Sequence, residues 1–287
     1  LYVCAGTGGA GGAFAQGLGS DGGSRDGTIA RQDMLRTWDN AKRYGAETVR
    51  DRGGESAGGP TGIPVGGNYI LLPSTDVNVT YDDNVYATAR NKKADVILEA
   101  NPEVRLRSRL PRHVLDFAMG ARITQYAREE ELNSIGGFGA IDGAIHIDHA
   151  HTLSVSLLSD LDHEDRLAPD AATDASERTP VWRNRASVGL KRDAGRIWVG
   201  AGVTAESWDY KDVRARDGST IDQDARDSQM LSGDLRGGYR ISPATEVQAR
   251  VRLLRQQMGV SSGIDRDNPG YEALAGLASE LSPLLRW

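Results

Sequence analysis

The stretch Asp95-Val96-Ile97-Leu98-Glu99-Ala100-Asn101-Pro102-Glu103-Val104-Arg105-Leu106-Arg107 alternates between two kinds of residue. Val96, Leu98, Ala100, Pro102, Val104 and Leu106 share one parity. Asp95, Glu99, Asn101, Glu103, Arg105 and Arg107 share the other. A period of two sends successive side chains to opposite faces of a β-strand, so this segment reads as a strand with one apolar face and one charged face. The pattern recurs along the chain. Leu115, Phe117, Met119, Ala121 and Ile123 alternate with Asp116, Arg122 and Thr124. Ile141, Gly143 and Ile145 alternate with Asp142 and His146. Further segments are centred on Leu153–Leu157, Ala186–Leu190, Val199–Ala205, Leu231–Tyr239, Val247–Leu253 and Tyr271–Leu277. With a first strand near Asp76 to Tyr81, about ten two-faced strands follow one another.

The connections between them alternate too. Arg109 to Arg112, Asp148 to His151, Arg192 to Arg196 and Ser242 to Glu246 are short. Residues 82–93, 127–137, 163–180, 211–228 and 257–270 are long and polar. In an up-and-down meander this places every short turn at one end and every long loop at the other. That asymmetry is typical of outer-membrane β-barrels, and a Greek-key sandwich is not expected to keep it over so many hairpins.

Composition is compatible with this reading. No stretch approaches the roughly 18 uninterrupted apolar residues of a helical membrane span. The formal charge of −6 and a pI of about 5.5 argue against a nucleic-acid partner. The mean hydropathy of −0.46 is hydrophilic, but a barrel gives half its strand positions to the lumen and much of its length to loops. An Arg facing lipid at the midplane costs roughly 2–4 kcal/mol, whereas one facing a water-filled lumen costs little. The aromatics Tyr69, Tyr81, Tyr126, Phe138, Trp182, Trp198, Trp208, Tyr210, Tyr239 and Tyr271 fall near strand ends, where interfacial girdles are expected.

The chain starts at Leu1 rather than Met. Ala13-Phe14-Ala15 matches a small-x-small signal-peptidase site, so residues 1–15 read as a signal-peptide remnant or as a glycine-rich lead. Cleavage there removes Cys4, the only cysteine. Gly6-Thr7-Gly8-Gly9-Ala10-Gly11 matches G-x-G-x-x-G, but no apolar helix or acid-bearing second strand follows, so a dinucleotide site is rejected. Residues 16–67 read as a periplasmic or plug-like leader, or as a disordered one. They hold one possible helix over 28–51 and a Gly/Pro linker over 52–67. Residues 68–287 form the expected all-β, antiparallel up-and-down transmembrane barrel.

One block goes further. Tyr81-Asp82-Asp83-Asn84-Val85-Tyr86-Ala87-Thr88 follows the first strand. Gly66-Gly67-Asn68-Tyr69, Arg112-His113, His163-Glu164-Asp165-Arg166, Gly238-Tyr239-Arg240-Ile241-Ser242-Pro243 and Gly270-Tyr271-Glu272-Ala273 flank it in order. In these motifs, over about residues 47 to 287, the chain resembles the beta-barrel porin type 2 family of alphaproteobacterial outer-membrane proteins. It departs from the family at residues 53–61, which are rich in Gly and Ser. The resemblance implies an outer-membrane location in a Gram-negative bacterium, an association with surface or exopolysaccharide export, and no catalytic residues. Trp287 fits a terminal aromatic closing a ten-stranded barrel. Leu281-Ser282-Pro283, however, repeats the turn Ile241-Ser242-Pro243, which favours a longer barrel of which this chain is a C-terminally truncated part.

Candidate pore-lining residues follow from parity: Glu99, Glu103, Arg105, Arg122, Asp142 and His146 in the first half; Arg183, Arg185, Asp234, Arg236, Arg250 and Arg252 in the second. Acids of the second, fourth and fifth strands either pair across the lumen with Arg183, Arg185, Lys191, Arg236, Arg250 and Arg252, or stand as separately solvated charges. The cluster of His146, Asp148, His149 and His151, with Asp142 and His163 nearby, lacks standard metal-ligand spacing and reads as a solvated turn. No cofactor, metal or catalytic set is expected. The expected partners are outer-membrane lipids and lipopolysaccharide, with exopolysaccharide or small solutes as cargo. The alternatives are a barrel-type outer-membrane hydrolase and a soluble β-rich surface adhesin or scaffold.

Overall fold

All ten alternating segments form strands, each joined antiparallel to its predecessor. The computed structural model describes residues 62–86, 88, 90–164, 166, 168, 171–172, 174–259, 268–282 and 285–286. The signal-peptide remnant, the G-x-G-x-x-G stretch, the helix over 28–51, the linker up to residue 61 and Trp287 lie outside the described residues. The long strands are β2 (Tyr69–Asp82), β3 (Asp95–Ser108), β4 (Val114–Tyr126), β5 (Ser134–His146) and β6 (His151–His163). They continue with β7 (Pro180–Ala194), β8 (Ile197–Tyr210), β11 (Ser228–Ser242), β12 (Thr245–Met258) and β13 (Asn268–Ser282). Short strands β1 (Ile63–Val65) and β14 (Leu285–Arg286) stand at the two edges. A two-residue pair, β9 (Val213–Arg214) and β10 (Thr220–Ile221), decorates the loop between β8 and β11. The order of the twelve-stranded sheet is the order of the chain, and among the described residues its edges are not joined.

The long strands run 13 to 15 residues. A tilted strand needs about 9–11 residues to cross the hydrocarbon layer, so each extends beyond it. The turns are tight: β7 and β8 are joined through Gly195 and Arg196 alone, and Gly195 takes φ +73°, a left-handed conformation that glycine adopts without strain.

One loop is shorter than its sequence indicates. β5 begins at Ser134, inside the glycine-rich stretch that reads as loop to residue 137. Glycines hide the alternation there, yet the register runs unbroken from Ile123 opposite Ile135 to Gly120 opposite Phe138. Ile63–Val65, within the segment read as a leader, forms an edge strand on β2.

Register fixes the two faces, since directly paired residues share a side. One face carries Val77, Val79, Leu98, Met119, Leu157, Val188, Val203, Leu235, Val251 and Leu253, all exposed large hydrophobics. On this face of the ten strands the charged residues are Arg192, Asp209 and Arg255, each within four residues of a strand end. An exposed apolar band of this extent is untenable in water and suits lipid.

The opposite face holds the charges, including Asp160 and Glu206, which are buried at 3% and 8% exposure. The long loops rest on this face: Arg178 donates to Ser134 Oγ at 3.4 Å, and the Arg226 guanidinium lies 4.1 Å from the Tyr210 ring centre.

The assignment of faces has a direct test at β6. Leu157→Arg places a charge in the apolar band and is expected to destabilise the membrane-inserted protein by roughly 2–4 kcal/mol, while the adjacent Ser156→Arg, on the charged face, costs well under half of that. Reversible urea unfolding in lipid vesicles measures both.

Candidate functional site

All twelve residues singled out by parity lie on the charged face. Their charges are unevenly spread. On β2 to β6 this face carries nine carboxylates and three arginines. On β7, β8, β11 and β12 it carries seven cations and four carboxylates. One stretch of wall is therefore acidic and the next basic.

The junction between the two is a three-residue cluster. Asp160 on β6 is held by Arg122 Nη1 at 2.6 Å and by Arg183 Nη2 at 3.0 Å. Arg122 starts on β4 and reaches over β5, a span of about 10 Å at ordinary strand spacing. The residue directly opposite it on β5 is Gly136, so no side chain stands in the way. Each arginine also lies over an aromatic ring: Arg122 over Phe138 at 5.6 Å and Arg183 over Trp208 at 5.0 Å. Asp160 belongs to the β6 alternation, which extends past Leu157 to put Leu158, Asp160 and Asp162 on the charged face. That extension was the signal in the sequence that could have found it.

The other ion pairs described on this face join groups on the same strand or on strands at most two apart. Glu103 and Arg105 neighbour each other on β3, and Asn78 donates to Glu99 from β2 at 3.2 Å. Arg236 Nε meets Asp234 at 2.7 Å on the same strand. Arg250 and Arg252 share Glu272 of β13 at 3.6 and 3.8 Å. His146 faces Thr152, 3.0 Å from its hydroxyl. Asp142 is exposed opposite Asp116.

The aromatics divide between the faces. Tyr69, Tyr81, Trp182, Tyr239 and Tyr271 are on the apolar face near strand ends, where girdles belong. Tyr126, Phe138, Trp198, Trp208 and Tyr210 are on the charged face, contrary to a girdle role. Here ring faces serve cations: Lys191 lies 5.3 Å from Trp198, whose indole N–H donates to Glu246 at 2.9 Å. The Trp198 indole occupies the space over Gly238, directly opposite it; a Cβ on Gly238 would stand 2.3 Å from the indole nitrogen.

Above the wall the long loops converge on Tyr86. Its hydroxyl donates to Glu129 at 2.8 Å, and Lys93 also bonds Glu129 at 2.9 Å. Arg166 and Arg216 lie 5.1 and 5.5 Å from its ring centre. The loops carrying Tyr86 and Arg216 leave the sheet six strand spacings apart, roughly 29 Å if the sheet were flat. Contact at this range requires the sheet to curl and the loops to lean inward over its charged face. Partial burial, followed by the hydrogen bond and charge of Glu129, pushes the Tyr86 phenol up to about 12. The bonds from Lys93 and Tyr86 hold Glu129 below the usual carboxylate range. Arg226 clasps Glu164 across two loops.

At the other end, Asp148 closes the turn between β5 and β6. One oxygen accepts the Ala150 and His151 amides at 2.7 Å each, and the carboxylate meets His151 Nδ1 at 2.8 Å. Asp148 is thus occupied by its own turn. Among the described residues, one trio, Asp212, Asp222 and Asp224 in the β8–β11 loop, brings ligand atoms within 4.8 Å of one another; all three are exposed. Repulsion from Asp222 and Asp212 raises the Asp224 pKa.

Two measurements probe these clusters. Asp160→Asn removes the buried carboxylate shared by the partly exposed Arg122 and Arg183 and is expected to destabilise the protein by about 1–2 kcal/mol, with strong coupling to Arg183→Gln in a double-mutant cycle. The hydrogen bond from His151, then the two amides, hold Asp148 down to about 2. With an unfolded value of roughly 3.9, its contribution is complete above about pH 4 and is lost as the pH falls toward 2. His151→Ala is expected to raise the Asp148 pKa, read by carboxyl-carbon NMR titration.

Comparison with known proteins agrees with this geometry. No curated protein matches the chain. A family model described as "Putative beta-barrel porin 2" matches residues 56–286, a span that takes in the whole described meander. With its lipid-suited apolar face, charged inner face and one-ended long loops, the chain belongs to the beta-barrel porin 2 family.

Proposed function

We propose that the charged face lines an aqueous pore in the outer membrane of a Gram-negative bacterium, and that the protein moves solutes without catalysis. The observation that carries this is the segregation of charge by parity. Nine carboxylates and three arginines on β2 to β6, and seven cations on the next four long strands, all share one face, while the other face is charged only near strand ends. A solid core would not hold this many ionised groups, whereas a water-filled lumen holds them at little cost. The finer reading is the outer-membrane component of surface-polysaccharide export in an alphaproteobacterium. Sequence resemblance supports it, and the inward Trp198 and Trp208 are compatible with a sugar path. Lipid and lipopolysaccharide are the partners of the apolar face.

Full-length protein in detergent is expected to migrate differently on gels with and without boiling, and to give discrete conductance steps in planar bilayers. A protein that stays monomeric and soluble without detergent, or that carries no current after insertion, would sink the proposal. The first result would favour a secreted adhesin. Hydrolysis of ester or peptide substrates by the inserted protein would favour a barrel hydrolase.

A further inference from the structure

The basic part of the wall contains a hollow lined by three arginines and one carboxylate. Its floor is Gly189 and Gly202, directly paired between β7 and β8 and presenting no side chains. Ser187 and Thr204, paired one step along, bring two hydroxyls to the same hollow. Arg185, Arg236 and Arg252 surround it, together with Asp234.

The charges do not cancel. Asp234 is taken by Arg236 at 2.7 Å. Glu206, opposite Arg185, accepts the Trp208 indole N–H at 2.9 Å, and Arg185 has no ion pair among the described residues. Arg252 shares the half-exposed Glu272 with Arg250, at 3.8 and 3.6 Å, beyond hydrogen-bonding distance. The Nε atoms of both Arg250 and Arg252 are buried without a hydrogen-bond partner among the described residues. Arg236 and Arg250 are also directly opposite each other, a cross-strand pairing that repels. Guanidiniums gathered with open donors, beside free hydroxyls and a floor without side chains, are built to meet an oxyanion, which accepts from several N–H and O–H groups at once.

We propose that this hollow is a binding site for a single oxyanion group, the carboxylate or sulfate of a passing solute, held between Arg185 and Arg252 with Ser187 and Thr204 donating from the floor. The proposal names the solute class for the pore reading and rests on that reading only for access from water. The probe is inorganic sulfate, titrated calorimetrically into the full-length detergent-solubilised protein at constant ionic strength, with current recorded separately in bilayers. Wild-type protein is expected to bind sulfate saturably. Arg185→Gln and Arg252→Gln are each expected to weaken it about tenfold or more, the loss of one charge-assisted hydrogen bond. Arg185→Lys keeps the charge and recovers part of the affinity. Arg107→Gln removes an equal charge from the same face on β3 and is expected to leave affinity unchanged, which separates a site from a diffuse field. Heat-modifiable migration of each variant confirms that it folds. Absence of saturable binding overturns the site, as does a loss in Arg107→Gln equal to that in the hollow. Saturable sulfate binding in a protein that carries no current overturns the pore and leaves the site standing.

Discussion

Register is the constraint on which everything else in this protein depends. Because side chains alternate, a slip of one residue in β8 would turn Glu206 toward lipid and bring Val203 inside. The fold therefore invests heavily in preventing a slip. Gly195 and Arg196 leave no slack between β7 and β8, and the Asp148 turn pins β5 to β6 through three contacts. Between the strands, Trp198 over Gly238 and Phe138 over Gly120 are shape-complementary pairs that exist in one alignment only. Asp160 spans three strands, since Arg122, Asp160 and Arg183 meet only when β4, β6 and β7 are in step.

Much of this is legible in the sequence because a membrane-facing strand leaves a strong mark. Residues such as Glu99, Arg236 and Arg252 fall on one parity with no exceptions near mid-strand, and that alone assigns their face. Legibility fails where a residue carries no side chain to alternate. Gly136 and Gly137 belong to β5 yet read as loop, since their role is close approach rather than polarity. It fails again for aromatics. Trp198 and Trp182 look alike near strand ends, but one serves a lysine inside and the other faces outward, and only register tells them apart. The contacts of Asp160 and Tyr86 were out of reach for a different reason. The Asp160–Arg183 pair depends on the exact register of β6 on β7, and the Tyr86–Arg216 contact depends on how the sheet curls; the alternation of residue types sets neither.

The charged face is organised by short-range electrostatics. Every strong pair joins groups on the same strand or on strands at most two apart, so the acidic and basic stretches are each internally compensated only in part. In the aqueous pore proposed for this face, such residual charge would act over about 8–10 Å at physiological salt, and further beside low-dielectric walls. Rings within about 6 Å of guanidiniums add to this by fixing where each positive charge sits, turning flexible arginines into positioned ones.

The gathering of loops at Tyr86 has a consequence for how the protein is made. Each hairpin of the meander closes locally, with partners adjacent in sequence, so strands can pair in chain order. Tyr86 and Arg216 are different: their contact must wait until six further strands have been laid down and bent. The assembling protein therefore passes through a stage in which the sheet is paired and its polar face is still uncovered from above. Closure of the loops over Tyr86 therefore has to follow the pairing of β3 through β8, however early each hairpin forms.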